Sequence, residues 1–310
     1  MKKSFLEKIE PLLFLLPFII SVSFFTLYPI VNVFRMSFLE GYKYLTGAYT
    51  GIGFGNYQKV VQDPFFRQAV SNTLKYVILV VPISTAIAIV IANLLNQKIK
   101  FQAFYQTAYF LPMVTSSLAV GLAWRFMFND KAGIINYVLS LFGINGLNWL
   151  TSTEGNFMAI VVFGIWAILP NTIILLLSGL QNIDPLYYTA AKADGAKTLR
   201  IFFRITVPLL APTIMLVIII NTISTFKMYH ELFPLFNGPG IAYNLFTVVY
   251  YIYYEFRVMA PAKYGYAAAA SVMLLITVFI FTMLQRGVQA WARKERGENV
   301  KKRHRDELKA

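Results

Sequence analysis

The sequence predicts an all-α integral membrane protein with six transmembrane helices and with both termini in the cytoplasm. Three observations support this. The 310 residues are 57% hydrophobic and only 14% charged, whereas a soluble domain averages about 25% charged residues. Six segments of 20 to 29 residues carry no charge, and about 20 apolar residues suffice for a helix to cross a bilayer. The basic residues are concentrated in alternate connecting segments, as the positive-inside rule describes.

The uncharged runs define the six helices. They cover residues 11–34, 76–95, 101–124, 155–183, 205–226 and 264–285. Allowing for the turns at their ends, we expect helices at about 11–34, 70–95, 105–128, 156–178, 209–230 and 263–286, in one membrane domain over 11–286. Tyr243–Tyr254 is apolar but too short to span a bilayer, so we expect an interfacial or re-entrant segment there.

The formal net charge of +14 reflects topology rather than nucleic-acid binding. With the N-terminus (1–10) inside, the cytoplasmic segments are 1–10, 96–104, 179–208 and 286–310, and they hold 18 of the 28 Lys and Arg residues. The basic tail at 287–310 is expected to lie against anionic lipid headgroups. The chain contains no cysteine, which excludes a disulfide framework and a thiolate metal site.

The sequence contains no recognisable catalytic, metal-binding or nucleotide-binding motif. Its two histidines, His230 and His304, belong to no metal-ligand spacing, and no phosphate-binding P-loop is present. We therefore expect no catalytic residue, metal or cofactor on this chain, and an energy source in a partner or a gradient. The uncharged runs contain no Asp or Glu, which disfavours proton-coupled transport.

A charged, Gly-punctuated segment, Asp184–Pro212, connects the fourth and fifth runs. It contains Ala190 and Ala191, then Gly195 after three residues, Ile205 after nine more, and Pro208. This spacing resembles the EAA loop of ABC-importer permeases (EAA, three residues, G, nine residues, I-x-L-P), with Thr189 in place of the glutamate. We expect Asp194 and Gly195 to end a helix, and Pro208 to open the next one.

The resemblance extends over most of the chain. Asn72-Thr73, Tyr109-Phe110-Leu111-Pro112 and Asn237-Gly238-Pro239 are similar to segments of carbohydrate-importer permeases, in particular the larger-type permease of the maltose transporter. The resemblance implies the type I ABC-importer permease fold in a bacterial cytoplasmic membrane, with a coupling loop at 179–208 and no enzymatic activity of its own. It also implies a second homologous permease, two ATPases that bind ATP and Mg, an extracytoplasmic binding protein and a carbohydrate substrate.

Aligned on this family, two residues of the fourth helix fall at the substrate cavity. Trp166 matches a sugar-contacting tryptophan, and Asn171 falls at the position of a tyrosine. Trp166 is equally consistent with a lipid-facing or interfacial anchor. Asn171 is costly in lipid, so we expect it to face the helix bundle, either in the cavity or in a helix–helix hydrogen bond.

In the fifth helix the same alignment places Asn221, Ser224 and Lys227 near the cavity. Lys227 ends an uncharged run, so its ammonium group either extends to the outer interface or reaches into the cavity. Lys75 and Arg125 also lie near outer helix ends. We therefore state the hypothesis that these three cations accept an anionic oligosaccharide.

Two other functions remain open at this point. A stand-alone secondary carrier or channel needs no ATPase and shows ion coupling. Within the ABC class, a permease for a non-sugar solute, such as a polyamine or phosphate, is the lesser alternative.

Overall fold

The computed structural model describes residues 5–97 and 100–307. Packing divides the chain into two compact units, Met1–Arg67 with Tyr251–Ile276, and Gln68–Tyr250 with Thr277–Ala310. The single membrane domain expected over 11–286 remains a prediction.

The described residues are mostly helical, with almost no strand. In chain order the α-helices are α1 (Phe5–Val22), α2 (Tyr28–Phe38), α3 (Gly55–Gln62), α4 (Pro64–Leu95), α5 (Gln102–Val114), α6 (Ser117–Met127), α7 (Ile134–Leu141), α8 (Thr153–Gln181), α9 (Pro185–Ala193), α10 (Thr198–Ile201), α11 (Val207–Phe226), α12 (Leu232–Phe236), α13 (Val248–Tyr253) and α14 (Tyr264–Glu307). Two short strands, β1 (Leu39–Glu40) and β2 (Gly51–Ile52), pair antiparallel. Because α13 has six residues, the apolar stretch at 243–254 does not form a seventh span.

Two π-helical turns join helices that a proline would otherwise interrupt. Ser23–Leu27 connects α1 to α2, and Phe202–Thr206 connects α10 to α11. Each ends two residues before a proline, Pro29 or Pro208. Proline has no N–H to donate and its ring crowds a carbonyl one turn back, and the wider turn accommodates this. Pro208 lies in the first turn of α11, as predicted, although the chain is already helical from Thr198 through the π turn.

The first unit is held together by hydrogen bonds between α2, the strands and α3. The side-chain amide of Asn56 donates to the carbonyls of Ser37 and Leu39, both at 3.0 Å. The Tyr57 hydroxyl donates to the Ser37 hydroxyl at 2.7 Å. The Glu40 carboxylate accepts the N–H of Gly55 at 2.9 Å and so caps the start of α3.

The second unit has its core where α4, α8 and α11 meet. The side chains of this core are small or aliphatic and buried: Ala88, Ala92, Leu95, Ile173, Leu176, Leu177, Leu180, Leu210 and Val217. Gly179 of α8 lies against Leu210 and Thr213 of α11. Small residues at such contacts let helix backbones approach closely within a membrane.

The third predicted helix, 105–128, is broken. α5 and α6 meet at an angle of 105°, and the chain between them is extended at Thr115. Pro112 removes one backbone hydrogen bond, and the Thr115 hydroxyl donates to the Leu111 carbonyl at 2.9 Å and so competes for the helix acceptors. The described residues thus contain five unbroken helices long and apolar enough to cross a membrane, and a sixth if this pair counts as one span.

The last two predicted helices end elsewhere than expected. The fifth ends at Phe226 rather than 230, so that Lys227 is its C-cap residue. The sixth begins at Tyr264 and continues to Glu307, which makes the predicted tail at 287–310 a continuation of α14 as far as the structure describes it.

Candidate functional site

The segment expected to couple to an ATPase, 184–208, forms two short helices at one end of the second unit. The Asp184 carboxylate accepts the N–H of Leu186 at 2.8 Å and caps α9. At the other end Gly195 has φ +73°, and the N–H of Ala196 donates to the carbonyl of Ala191 at 2.9 Å. This is a Schellman C-cap, which favours glycine at that position. Asp194 and Gly195 therefore end the helix as predicted.

This coupling segment presents both apolar and cationic side chains at its surface. Leu186, Leu199 and Phe203 are 68%, 73% and 65% exposed. The exposed cations of the segment are Lys192, Lys197, Arg200 and Arg204. Large apolar side chains that are this exposed, among charges, are typical of a surface that binds another protein.

The remaining motif positions divide between surface and core. Thr189 and Ala190 are exposed, Ala191 is buried and Ile205 is half-buried. The Thr189 hydroxyl donates to the carbonyl of Pro185 one turn back, at 3.2 Å. The Thr189 hydroxyl therefore has its hydrogen-bond partner within α9, and the side chain presents no charge at the surface where the family has a glutamate.

A cavity of about 510 Å³ separates the coupling segment from the end of α4. The end of α4 contributes Asn93, and the coupling segment contributes Tyr188 and Lys192. The other lining residues are Asn96, Gln97, Thr198, Ile201, Phe202 and Thr206. Most of the residues that line it are polar.

A second cavity, of about 190 Å³, lies between α5 and α8 and includes Trp166. The other residues that line it are Ala108, Tyr109, Pro112, Leu169 and Pro170. Two prolines and two aromatic side chains thus meet where α5 approaches its break. An aromatic face in a cavity is the surface on which the apolar face of a sugar ring stacks.

Trp166 belongs to an aromatic cluster that the sequence did not reveal. Its ring lies 5.2 Å from that of Trp124 and 6.0 Å from that of Phe163. Trp124 in turn contacts Phe128 at 5.2 Å, and Phe128 contacts Trp149 at 5.3 Å. The spacing of Trp124 and Phe128 along one helix was the available signal, but apolar neighbours on all sides of the helix obscured it.

The other four predicted cavity residues occupy different positions. Asn221 is buried, and its amide donates to the Thr172 hydroxyl at 2.9 Å, linking α11 to α8. Ser224 and Lys227 are exposed on this chain. Asn171 is exposed on this chain as well, so its place in the cavity or in a helix–helix contact stays a prediction. A polar side chain on the outside of a spanning helix is costly in lipid, which favours contact with another subunit.

The other family-like segments form a polar layer at the outer end of the second unit. The Asn72 amide donates to the carbonyls of Asn244 and Phe246 at 2.8 and 2.9 Å. The Thr73 hydroxyl accepts the N–H of Val248 at 3.0 Å. These bonds fix the loop before α13 to α4.

Asn237 adopts φ +59° ahead of Gly238 and Pro239. Its side-chain oxygen accepts a hydrogen bond from the Arg125 guanidinium at 2.7 Å. Arg125 also lines a cavity of about 180 Å³ with Asn156 and Gly240. The Asn-Gly-Pro turn therefore holds Arg125 at the end of α6.

Comparison with known proteins agrees with this arrangement. Residues 84–294 match the family described as "Binding-protein-dependent transport system inner membrane component". The chain is 32% identical, over 90% of its length and 88% of the relative, to the arabinooligosaccharides transport system permease protein AraP of Bacillus subtilis. It is 33% identical, over 88% of its length and 91% of the relative, to the lactose transport system permease protein LacF of Rhizobium radiobacter.

Among solved structures, the chain is similar to a bacterial alginate ABC transporter in complex with its alginate pentasaccharide-bound periplasmic protein. The TM-score is 0.76 at 25% identity, over 91% of this chain and 95% of that one. The predicted fold class, that of the type I ABC-importer permeases, is confirmed. The location in the bacterial cytoplasmic membrane is confirmed as well. The chain therefore belongs to the family of binding-protein-dependent transport system inner membrane components, the permease subunits of ABC importers.

Proposed function

We propose that this chain carries a sugar or oligosaccharide across the membrane as one permease of an ABC importer. The observation that carries the proposal is the aromatic cavity between α5 and α8, in which Trp166 and Tyr109 line the same space. The relatives named for arabinooligosaccharides and lactose transport support a carbohydrate. An aromatic face and nearby polar groups suit a ligand that has both apolar faces and hydroxyl edges.

The proposed assembly contains a second, homologous permease, two cytoplasmic ATPases and an extracytoplasmic binding protein. ATP and Mg bind to the ATPases, and this chain binds no cofactor and catalyses no reaction. The exposed Leu186, Leu199 and Phe203 of the coupling segment supply an apolar surface for an ATPase. In this assembly, the exposed side chains of Asn171, Ser224 and Lys227 contact the second permease or line the passage between the two permeases.

The proposed mechanism is a two-state switch. ATP binding closes the ATPase pair, and the coupling segment moves with the ATPase that holds it. Because the chain is helical without a gap from Thr198 to Phe226, that movement reaches the level of Trp166 and reorients the cavity. Such rigid-body rearrangements have two discrete states, and delivered sugar and bound ATP must favour different states.

The test is transport by the complete importer in proteoliposomes, with arabinotriose, lactose, trehalose and an alginate pentasaccharide as probes. One of these sugars should be taken up, and only with ATP. We expect Trp166→Leu to lower uptake at least tenfold, while ATP hydrolysis in the absence of sugar persists. Trp291→Leu, the same change at an exposed tryptophan of α14, should leave uptake unchanged. Uptake by this chain without an ATPase, or no uptake of any carbohydrate, would contradict the proposal.

A further inference from the structure

We infer that the transported oligosaccharide is anionic and that Lys75 and Lys227, with Arg125 further out, supply the cations that bind it; this rests on the proposed function. Lys75 and Lys227 are exposed on this chain, and Arg125 is half-exposed. Among the described residues, none of the three has a carboxylate within 4.0 Å, and the ion pair found there joins Lys263 to Glu255. Their charges are therefore available to a ligand.

One hydrogen bond gives the depth of Lys227, measured along the neighbouring helix α8. α8 and α11 are antiparallel, and Asn221 of α11 is bonded to Thr172 of α8. Lys227 is six residues beyond Asn221, so it lies level with Trp166, six residues before Thr172. Thirteen residues separate Trp166 from Thr153, the outer end of α8, which corresponds to roughly 20 Å along the axis.

Lys227 is thus deep within the span rather than at its outer end. Trp166 lies near the middle of the uncharged run 155–183. A contact with α14 supports this depth. The ring of Phe226, next to Lys227, packs on that of Phe281 at 5.2 Å, and Phe281 lies within the uncharged run 264–285. The sequence-based alternative, a lysine extending to the outer interface from the end of its helix, required α11 to reach that interface.

Lys75 lies near the same level, and Arg125 lies further towards the outer end of α8. Arg125 follows Trp124, whose ring contacts those of Phe163 and Trp166 at 5.8 and 5.2 Å. Lys75 precedes Tyr76, whose ring lies directly against Gly164. The helices α4 and α11 therefore bring one cation each to the layer of α8 between residues 163 and 166. Arg125 lies further out, where it is bonded to Asn237 and lines a cavity with Asn156.

The energetics favour a passage filled with water and anionic ligand over lipid. A lysine or arginine at the centre of a lipid-exposed helix costs about 2.5–3.5 kcal/mol on insertion scales, and such residues mark substrate or ion pathways. The acidic residue nearest in sequence to Lys227 is Glu231, whose carboxylate accepts the N–H of Tyr229 at 3.1 Å. A neutral sugar would add no negative charge near these cations, whereas an oligouronate supplies one carboxylate per ring.

The aromatic cluster lies at the same depth as Lys75 and Lys227. Trp166 and Trp124 offer faces for the pyranose rings, while the cations are placed to bind carboxylates. This combination selects a ligand with regularly repeated carboxylates on a carbohydrate backbone over a simple anion such as phosphate, which has no apolar face.

The experiment compares uptake of trigalacturonate with uptake of its neutral, fully methyl-esterified form by the complete importer in proteoliposomes. The wild type should prefer the acid at least tenfold. A charge-assisted hydrogen bond corresponds to roughly a ten- to hundredfold change in binding, so Lys227→Met and Lys75→Met should each lower acid uptake by about that factor. Lys227→Arg, which keeps the charge, should stay within about threefold of wild type. Lys131→Met, at an exposed lysine outside this layer, should not change uptake.

ATP hydrolysis is measured for each variant importer in the absence of sugar. Only variants that retain it are compared, so a loss of uptake does not reflect misfolding. Equal or preferred uptake of the neutral ester, or acid uptake unchanged in both Met variants, overturns the inference and leaves the proposed function standing. If neither these sugars nor any carbohydrate probe used above is taken up, the proposed function fails, and the inference fails with it.

Discussion

Replacement of Gly164 by alanine tests the packing of α4 on α8 directly. A Cβ atom built at Gly164 lies 2.8 Å from Cζ and 3.0 Å from Cε2 of Tyr76, and its nearest neighbour is the Tyr76 hydroxyl. Tyr76 is only 4% exposed, so its ring has little room to move. Alanine gains about 1 kcal/mol in helix propensity over glycine, but overpacking a well-filled core costs about 1–3 kcal/mol. We expect Gly164→Ala to destabilise the protein by up to about 2 kcal/mol.

Gly287 provides the matched control. It lies inside α14, and an added Cβ there meets no atom within 4 Å. Gly287→Ala should therefore keep the propensity gain without the clash and raise stability by up to about 1 kcal/mol. The double variant Gly164→Ala with Tyr76→Phe loses the closest contact but keeps those to the ring, so it should recover part of the loss.

Unfolding of the purified importer by SDS, followed by tryptophan fluorescence, measures these differences. The order of stability should be Gly287→Ala, wild type, the double variant, then Gly164→Ala. If Gly164→Ala were as stable as Gly287→Ala, α4 would not pack against α8 through Tyr76. Lys75 would then not lie at the depth of Gly164 either.

Three further predictions concern other contacts. A double-mutant cycle of Asn221→Ala and Thr172→Val should give a coupling energy of about 0.5–1.7 kcal/mol, the range for hydrogen bonds between membrane helices, measured by the same unfolding assay; a value near zero would contradict the bond. Burial raises the pKa of the Glu255 carboxyl above its usual 4.5, an effect that Lys263 only partly offsets, so the folded state binds this proton more tightly than the unfolded state does. Stability should therefore fall as pH rises from about 4.5 through the raised pKa, and Glu255→Gln should flatten that part of the profile; an unchanged profile would refute it. Thr189→Glu, which restores the family's charge on the exposed side of α9, should strengthen retention of the ATPase during purification at rising salt, and equal retention would show that position 189 does not contact it.

The two ends of α9, the first helix of the coupling segment, could be predicted from sequence because single residues determine them. Asp184 caps a helix through its own carboxylate, and Gly195 adopts a positive φ that other residues adopt only at a cost. Both effects are local, so a pattern of residue types is enough to find them. The identity of the fold followed from the same segment, because its spacing matches that of a known family.

The break between α5 and α6 could not be located in this way. Pro82 and Pro170 lie inside unbroken helices, so Pro112 alone does not distinguish a kink from a break. The difference lies in the hydroxyl residues that follow Pro112, since Thr115 bonds back to the helix and Ser116 leaves helical geometry. Whether such residues continue a helix depends on what packs beside them, and that is not a property of the segment itself.

The direction in which side chains point within the spans could not be predicted from the sequence either. A helix that is apolar on all sides has no polar face to orient it, so the orientations of Asn171 and Asn221 had no signal in the sequence. The structure shows that one is exposed and the other is bonded within the core. The two asparagines, which had been assigned to one cavity, therefore contact different surroundings.

The helix from Thr198 to Phe226 joins the coupling segment to the layer of Lys227. Its 29 residues correspond to roughly 43 Å, and its π turn at Phe202–Thr206 lies at the end next to the coupling segment. The bond from Asn221 to Thr172 ties the other end to α8, which carries Trp166. A displacement of the coupling segment can therefore be absorbed by bending at the π turn or transmitted along the rest of the helix. Coupling requires an element with two discrete arrangements. In the proposed mechanism, only the part of the displacement that the π turn does not absorb reaches the level of Trp166 and changes that arrangement.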